Sequence, residues 1–578
     1  MRLTWLFVVL LCASATAIAQ DRALSPEEAA ATMKLPPGFK ATLFAGEPAI
    51  VQPMAFTFDD RGRVWVVENL SYPTWKADGT GNDRVTILED TDGDGRHDKR
   101  TVFLDNGVNL SSIEVGFGGV WLTSTPNFIF IPDANGDDKP DGPAKILLDG
   151  FTLECKHNVV GNLAWGPDGW LYGCHGITAP SLVGKPGTPK ERRQVVHCGV
   201  WRYHPVRHEW EVYANGTTNP WGIDWDERGE LFITNCVIKH IFHVIPGAHY
   251  VRMFGQDPNP HVYGLMESCA DHQHWAGGHW TTARGGPAHD DFGGGHAHVG
   301  CMIYLGDNWP AEYRGNAFML NIHGQRLNRD TLEPHGSSYV AKHAPDFAFS
   351  QDPWFRGMHC KYGPDGGVFI SDWSDIGECH DNKEEQCDKT GGRIFKIVYE
   401  SAIEFGAVGN ALRGVPSGDL TLLTEQQLVS LLTRSNQWFV RHSRRILQEQ
   451  AAKGKLECDL AGETSPDFDP ASPKPKQPAF DKHQLSLLFT LHVTGQLSEA
   501  ALINSLKPDA SEQMRAQAVT LASESRPKSF LPALLDSARH DDSPYVRLHL
   551  ASALQRIPLD DRWPIAEALL AHADDAND

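Results

Sequence analysis

Twenty-seven histidines are a high count for any fold, and ten of them, His240, His243, His249, His261, His272, His274, His279, His289, His296 and His298, fall within one stretch of the chain. His296-Ala297-His298 is the pair with chemistry in its spacing. On a strand, a period of two puts both imidazoles on one face, where they could hold a divalent transition metal or line a wet channel as hydrogen-bonding groups. Glycines 293 to 295 just before it would let the backbone approach a ligand closely. His157 precedes a strand-turn-strand motif; a neutral imidazole there is a competent general base for a hydroxyl at a channel mouth, although most residues at such a position only bond neighbouring loops.

A second chemistry is carried by carboxylates. Asp90, Asp92, Asp94 and Asp98 stand at short, regular steps in DTDGDGRHD, and Asp133, Asn135, Asp137 and Asp141 repeat the pattern. Oxygen ligands at every second position of a tight loop converge on one centre and suit calcium, with plain Asp-Gly hairpin turns as the alternative. Both loops join outer strands, so a calcium ion there would be structural.

These residues are positioned by a repeat. HNVVGNLAWGPDGWLYG from His157 reads as two short strands around a Gly-Pro-Asp-Gly turn, and related segments begin at Pro53, Ser111, Asn219, Val299 and Gly357. Their turn glycines, Gly62, Gly118, Gly169, Gly229, Gly315 and Gly366, are separated by 56, 51, 60, 86 and 51 residues. Six copies at about fifty-residue spacing predict a mainly β fold, a six-bladed β-propeller over residues 39 to 400 with an insertion in its fourth step. A β-sandwich would have no reason to repeat one turn at that spacing. A terminal strand pairing back into the first or last blade would close the ring.

Length and composition set the frame. A chain of 578 residues is too long for one core. Its formal charge of −21 disfavours nucleic acid and anionic membranes as partners. Residues 1 to 19 combine Arg2, an apolar run and an Ala17-Ile18-Ala19 ending, the pattern of a secretory signal, so an exported, periplasmic or secreted protein is expected. No later stretch is suited to spanning a bilayer. Ten cysteines follow that leader, and Cys379 with Cys387 is the first disulfide to test; no CxxCH occurs, so no covalent haem site lies in this sequence. Residues 20 to 38 form an N-terminal segment with a short helix capped by Ser25. From 401 to 578, apolar residues recur at helical spacing, with Arg441, Arg515 and Arg547 starting similar helices, which predicts HEAT- or armadillo-like repeats interrupted by an exposed Pro-rich loop at 462 to 480. Such a domain would dock another protein or stabilise the ring.

The motifs GGGHAHVG, DNWPAEYRG, DPWFRG, KYGPDGGVFISDW and GECHD carry a resemblance. The run from Leu35 to about Tyr399 resembles the bacterial membrane-bound dehydrogenase family, haem-binding-type propeller proteins of which this chain matches the N-terminal part. That family falls within the soluble quinoprotein glucose/sorbosone dehydrogenase superfamily. The resemblance implies an exported dehydrogenase that oxidises a sugar or alcohol hydroxyl, with pyrroloquinoline quinone as hydride acceptor and a separate cytochrome as a further partner. It makes His157 the catalytic base and Asn219, His323 and Arg356 cofactor contacts, with Arg326 and Lys361 as further cations. Thr218 replaces the arginine of the family's Arg-Asn-Pro, and His323 its lysine. Two other functions stay open: a non-catalytic propeller that binds carbohydrate or protein, and a calcium-dependent lactonase or esterase.

Overall fold

The computed structural model describes residues 22–154, 160–279, 287–377, 383–400, 418–460, 480–525 and 528–578. Ser25 and Glu28 form a reciprocal capping box at the start of α1 (Pro26–Thr32), with Pro26 in the first turn where its missing N–H costs nothing. Strand β1 (Phe39–Gly46) follows.

Six sheets come next. Blade 1 is β2 (Pro53–Phe58), β3 (Val64–Glu68), β4 (Asp83–Glu89) and β5 (Lys99–Gly107). Blade 2 is β6 (Leu110–Val115), β7 (Gly119–Ser124), β8 (Asn127–Pro132) and β9 (Lys145–Leu148). Blade 3 is built on β10 (Val160–Trp165) and β11 (Leu171–His175), from which the hairpin β12 (Ser181–Val183) and β13 (Gln194–Val196) projects, then β14 (Gly199–Tyr203) and β15 (Trp210–Thr217). Blade 4 has three strands, β16 (Ile223–Trp225), β17 (Leu231–Thr234) and β18 (Ile241–Val244), because the next one, β19 (His249–Arg252), pairs in parallel with β15 of blade 3. After the insertion, which carries α2 (Pro287–Phe292), blade 5 is β20 (His298–Ile303), β21 (Ala317–Asn321), β22 (Arg326–His335) and β23 (Ser338–Phe349). Blade 6 is β24 (Gly357–Tyr362), β25 (Val368–Asp372) and β26 (Arg393–Tyr399), and its fourth strand is β1.

The molecule is therefore a six-bladed propeller whose ring is closed by the N-terminal strand, in antiparallel register from Phe39↔Tyr399 to Gly46↔Arg393. Closure is reinforced on both sides of that seam. Phe39 lies edge-on to Trp309, Tyr313, Phe347 and Tyr399, with ring centroids 4.9 to 5.3 Å apart. The fully buried Arg393 pairs with Asp352 and Asp372 and donates to the Leu24 carbonyl. Innermost strands β2, β6 and β20 are buried at every position, as expected of strands packed on both faces.

The six turn glycines all adopt left-handed φ, between +72° and +82°. They join first to second strands on one face of the ring, and that face is covered. After α3 (Glu425–Leu431), helix α4 (Gln437–Ala452) crosses it and touches every blade. Arg445 and His442 pair with Asp60 of blade 1, Glu449 accepts from the Phe117 N–H of blade 2, and Gln448 donates to the Gly169 carbonyl of blade 3. Arg441 pairs with Asp224 of blade 4 at 2.6 Å, the Gln437 N–H donates to Leu305 of blade 5, and the capping Asn436 donates to Gly363 and Pro364 of blade 6. A Cβ on Gly169 would stand 2.6 Å from Gln448 Nε2, so a side chain there would displace this contact with α4.

Helices α5 (Lys482–Val493), α6 (Glu499–Ser505), α7 (Glu512–Ser525), α8 (Leu531–His540), α9 (Pro544–Ala553) and α10 (Leu559–Leu570) continue from there, with α7 packed on α9 and α8 on α10 around their own core. Arg515 and Arg547 do the same job one helix pair apart, each forking onto an aspartate, Asp541 and Asp575, and donating to a backbone carbonyl. Arg441 departs from that pattern by turning to the propeller. Among the described residues no helix is long and apolar enough to cross a membrane. Cys379 lies outside the described residues, and no two of the described cysteines are joined to each other.

Candidate functional site

On the face opposite α4, chain segments enter the innermost strands, and the second strand of each blade turns into the third. His240 leads from β17 into β18, His298 opens β20, and the insertion between β19 and β20 supplies His272 and His274. Asp330 comes from β22, directly across the ladder from His343 on β23. These groups converge between blades 4 and 5.

Asp330 is completely buried. Its Oδ2 lies 2.6 Å from His240 Nε2, whereas Oδ1 has no hydrogen-bond partner and stands 3.5 Å from His272 Nε2 and 3.6 Å from His274 Nε2. The two Nε2 atoms of His272 and His274 face each other at 3.0 Å. One donor atom from each of His240, His272, His274 and Asp330 lies within 4.8 Å of all the others. Around these four, His272 Nδ1 is 2.8 Å from Asp271 Oδ1, and His274 Nδ1 is 2.9 Å from His298 Nε2.

Burial and crowding set the charge states. Burial would raise the Asp330 carboxyl, but His240, by its charge and its hydrogen bond, and then His272 beside it hold it well below the usual range. Burial, then the neighbouring imidazoles, push His274 and His298 well below ordinary histidine, so both are neutral near pH 7. His272 is displaced the other way: burial opposes its charge, and Asp330 and Asp271 outweigh burial.

His296 and His298 go to different neighbours. The His298 ring packs 5.0 Å from His274, while His296 packs against His323 at 4.7 Å and Trp275 at 5.0 Å. The three glycines before them all have positive φ, and they admit side chains rather than open space: a Cβ on Gly293 would meet His274, on Gly294 Arg326, and on Gly295 His323, each within 2.7 Å.

His157 lies outside the described residues. Asn219, His323 and Arg356 stand on the same entrance face, in the segments leading into β16, β22 and β24. Asn219 Oδ1 accepts from the Ile177 N–H and its own N–H donates to Asn235. The Arg356 guanidinium donates to the carbonyls of Gly377, Pro353, Phe355 and Ile376. Arg326 pairs with Asp290 and Asp346. Lys361 is on the channel wall nearer α4, bonded to Glu114 at 2.6 Å, beside a cavity of about 90 Å³ also lined by Thr57, Asp224, Trp438 and Arg441.

A tricarboxylate quinone calls for cations whose donors face it. Here Arg326 and Arg356 are committed to carboxylates and carbonyls of their own chain, so these residues do not fit pyrroloquinoline quinone.

The acidic loops lie on the α4 side, between β4 and β5 and between β8 and β9. In the first, Asp90, Asp92 and Asp98 bring ligand oxygens within 4.8 Å of one another, while Asp94 accepts from the Arg96 N–H. In the second, Asp133 and Asn135 both accept from the Asp137 N–H, and Asp141 accepts from Ala134. Among the described residues it gathers no comparable set of three carboxylates.

Fold and site together define a six-bladed propeller with a buried imidazole and carboxylate cluster on its entrance face. The chain belongs to the family described as Domain of unknown function (DUF7133), whose model matches residues 25–401. No curated protein matches the sequence. Among solved structures it is similar to an oxidoreductase titled glucose dehydrogenase from Thermus thermophilus, at 17% identity and TM-score 0.40 over 62% of this chain and 100% of that one. It is also similar to the pyranose dehydrogenase PQQ domain of Coprinopsis cinerea, at 13% identity and TM-score 0.39 over 66% and 98% of the two chains. A calcium-binding protein, regucalcin, from Agrobacterium tumefaciens matches at 12% identity and TM-score 0.34 over 62% and 95%. Likenesses this distant carry no argument about what the chain binds.

Proposed function

We propose that this protein is an exported oxidoreductase, a dehydrogenase that oxidises a sugar or alcohol at the entrance face of the ring, the hydroxyl losing its proton and the carbon that bears it giving up hydride. The observation that supports it most is that the segments carrying Asn219, His323 and Arg356 all enter on that face, at the end of the axis not crossed by α4. Neutral imidazole accepts a hydroxyl proton near pH 7, and His157 is the residue assigned that role. The hydride acceptor in this reading is a quinone-type group, which a separate cytochrome would reoxidise one electron at a time; Arg326 and Arg356 do not hold it. Calcium at Asp90, Asp92 and Asp98 is structural in this reading, and the C-terminal helices are a HEAT- or armadillo-like docking solenoid.

The test is reduction of an artificial electron acceptor by a panel of sugars and alcohols, with and without added quinone and calcium. Turnover that falls about 100-fold or more in His157→Ala supports the base assignment. No turnover with any donor, together with a melting temperature unchanged by quinone, overturns the dehydrogenase reading. The committed Arg326 and Arg356 favour a second reading, a non-catalytic propeller that binds carbohydrate. Undiminished glycan binding by the same variant is the outcome expected of it.

A further inference from the structure

We propose that His240, His272, His274 and Asp330 form a binding site for a divalent transition-metal ion of the zinc type, which fastens the insertion to blades 4 and 5. The inference stands apart from the oxidoreductase reading, since it concerns what holds the entrance face together and not what reacts there.

Three independent observations carry it. The first is the donor set. Three imidazole nitrogens and one carboxylate oxygen are what zinc takes in a four-coordinate site, and they arrive from blade 4, the insertion and blade 5 instead of from one local turn. The second is spacing. Ligands at about 2.0–2.1 Å from a tetrahedral ion are separated from one another by about 3.3 Å. The observed separations are 2.6 Å from His240 to Asp330 Oδ2, 3.5 and 3.6 Å from His272 and His274 to Asp330 Oδ1, and 3.0 Å between the His272 and His274 nitrogens, and one donor atom from each of the four residues lies within 4.8 Å of the others, so the set already gathers round one point and would close on an ion by side-chain movement. The third is an unmet bonding requirement. Asp330 Oδ1 is fully buried without a hydrogen-bond donor, though carboxylate oxygens in such surroundings are rarely left unpaired. It points at the gap between the His272 and His274 nitrogens.

The surrounding groups act as a metal site's outer groups would. With His272 Nε2 directed at the ion, its Nδ1–H donates to the Asp271 carboxylate; with His274 Nε2 likewise directed, its Nδ1–H donates to His298 Nε2. Each contact fixes the tautomer that leaves Nε2 free to ligate. Asp271 is about half exposed and reaches the site only through His272, so it is a positioning residue.

The experiment uses the full exported chain with any affinity tag removed, stripped with a chelator and dialysed. Zinc titration followed calorimetrically is expected to show one tight site per chain, and cobalt in its place the intense visible bands of tetrahedral coordination. His272→Ala and Asp330→Asn should abolish that site, and Asp271→Asn should weaken it about 10–100-fold. Because Asp271 is exposed and remote from the core, that variant stays informative if substituting Asp330 prevents folding. The melting temperature of wild type should rise with zinc, and that of His272→Ala should not. No stoichiometric zinc in wild type, or equal affinity in wild type, His272→Ala and Asp271→Asn, overturns the proposal and leaves a cluster held by hydrogen bonds alone. Neither result depends on whether the protein turns over a sugar.

Discussion

His175 shows how burial at one residue makes the whole ring sensitive to acid. It is fully enclosed, with Nδ1 2.7 Å from the Gly176 carbonyl and Nε2 2.7 Å from Ser181 Oγ, and burial first, then His197, pulls it down to about 4 although the Gly176 carbonyl works the other way. His204 is held at about 3, by burial and then Arg207. A histidine lowered in the fold binds protons more readily unfolded, so the stability it confers is complete above about 6.5 and is lost as pH falls toward 4. For His175 alone this amounts to about 3 kcal/mol. Asp226 and Asp372, raised to about 6 chiefly by burial, act in the opposite direction, favouring the fold below about 4 and ceasing to do so as pH passes 6. Because these aspartates offset part of the loss, the informative comparison is between two proteins. Going from pH 7.5 to pH 5 should cost wild type about 2 kcal/mol more than His175→Gln in urea unfolding. Equal losses in the two would mean that His175 is not the group being protonated.

Among the elements, α4 concentrates the largest single dependence. Asp60 accepts from both His442 and Arg445, and its carboxyl is held well below the usual range, with burial opposed by the charge of Arg445. Asp60→Ala leaves the buried Arg445 with only Glu449 and should cost about 3–5 kcal/mol. Faster amide exchange across residues 437–452, with the inner strands of the blades still protected, is the expected readout; uniform exchange would mean that helix and ring unfold as one unit. The sequence disclosed the blades because their turns recur at fixed spacing, and all six predicted glycines occupy the left-handed conformation. It could not disclose that α4 spans those turns, since nothing in a helical periodicity says which surface the helix covers. The cluster was half legible. His272 and His274 stood out by composition, whereas Asp330 reads as an ordinary acidic residue in a long strand until β22 brings it beneath them.

For the molecule as a whole, ring and helices share one buried boundary rather than a linker alone. Glu230 of blade 4 takes His243 at 2.8 Å, Gln517 of α7 at 2.6 Å and Tyr545 of α9, while Arg202 of blade 3 joins Asp168, Glu211 and Glu524. A chain ending at residue 400 would uncover these charges and the inner turns together, so it should be recovered as aggregate or as a form that binds hydrophobic dyes. A monodisperse, cooperatively melting fragment would contradict that. The helix lying over one mouth also has a kinetic meaning. With α4 in contact with every blade across that mouth, a solute that reaches the axis from the histidine-bearing side has only that side to leave by, so a departing molecule and an arriving one would compete for the same opening.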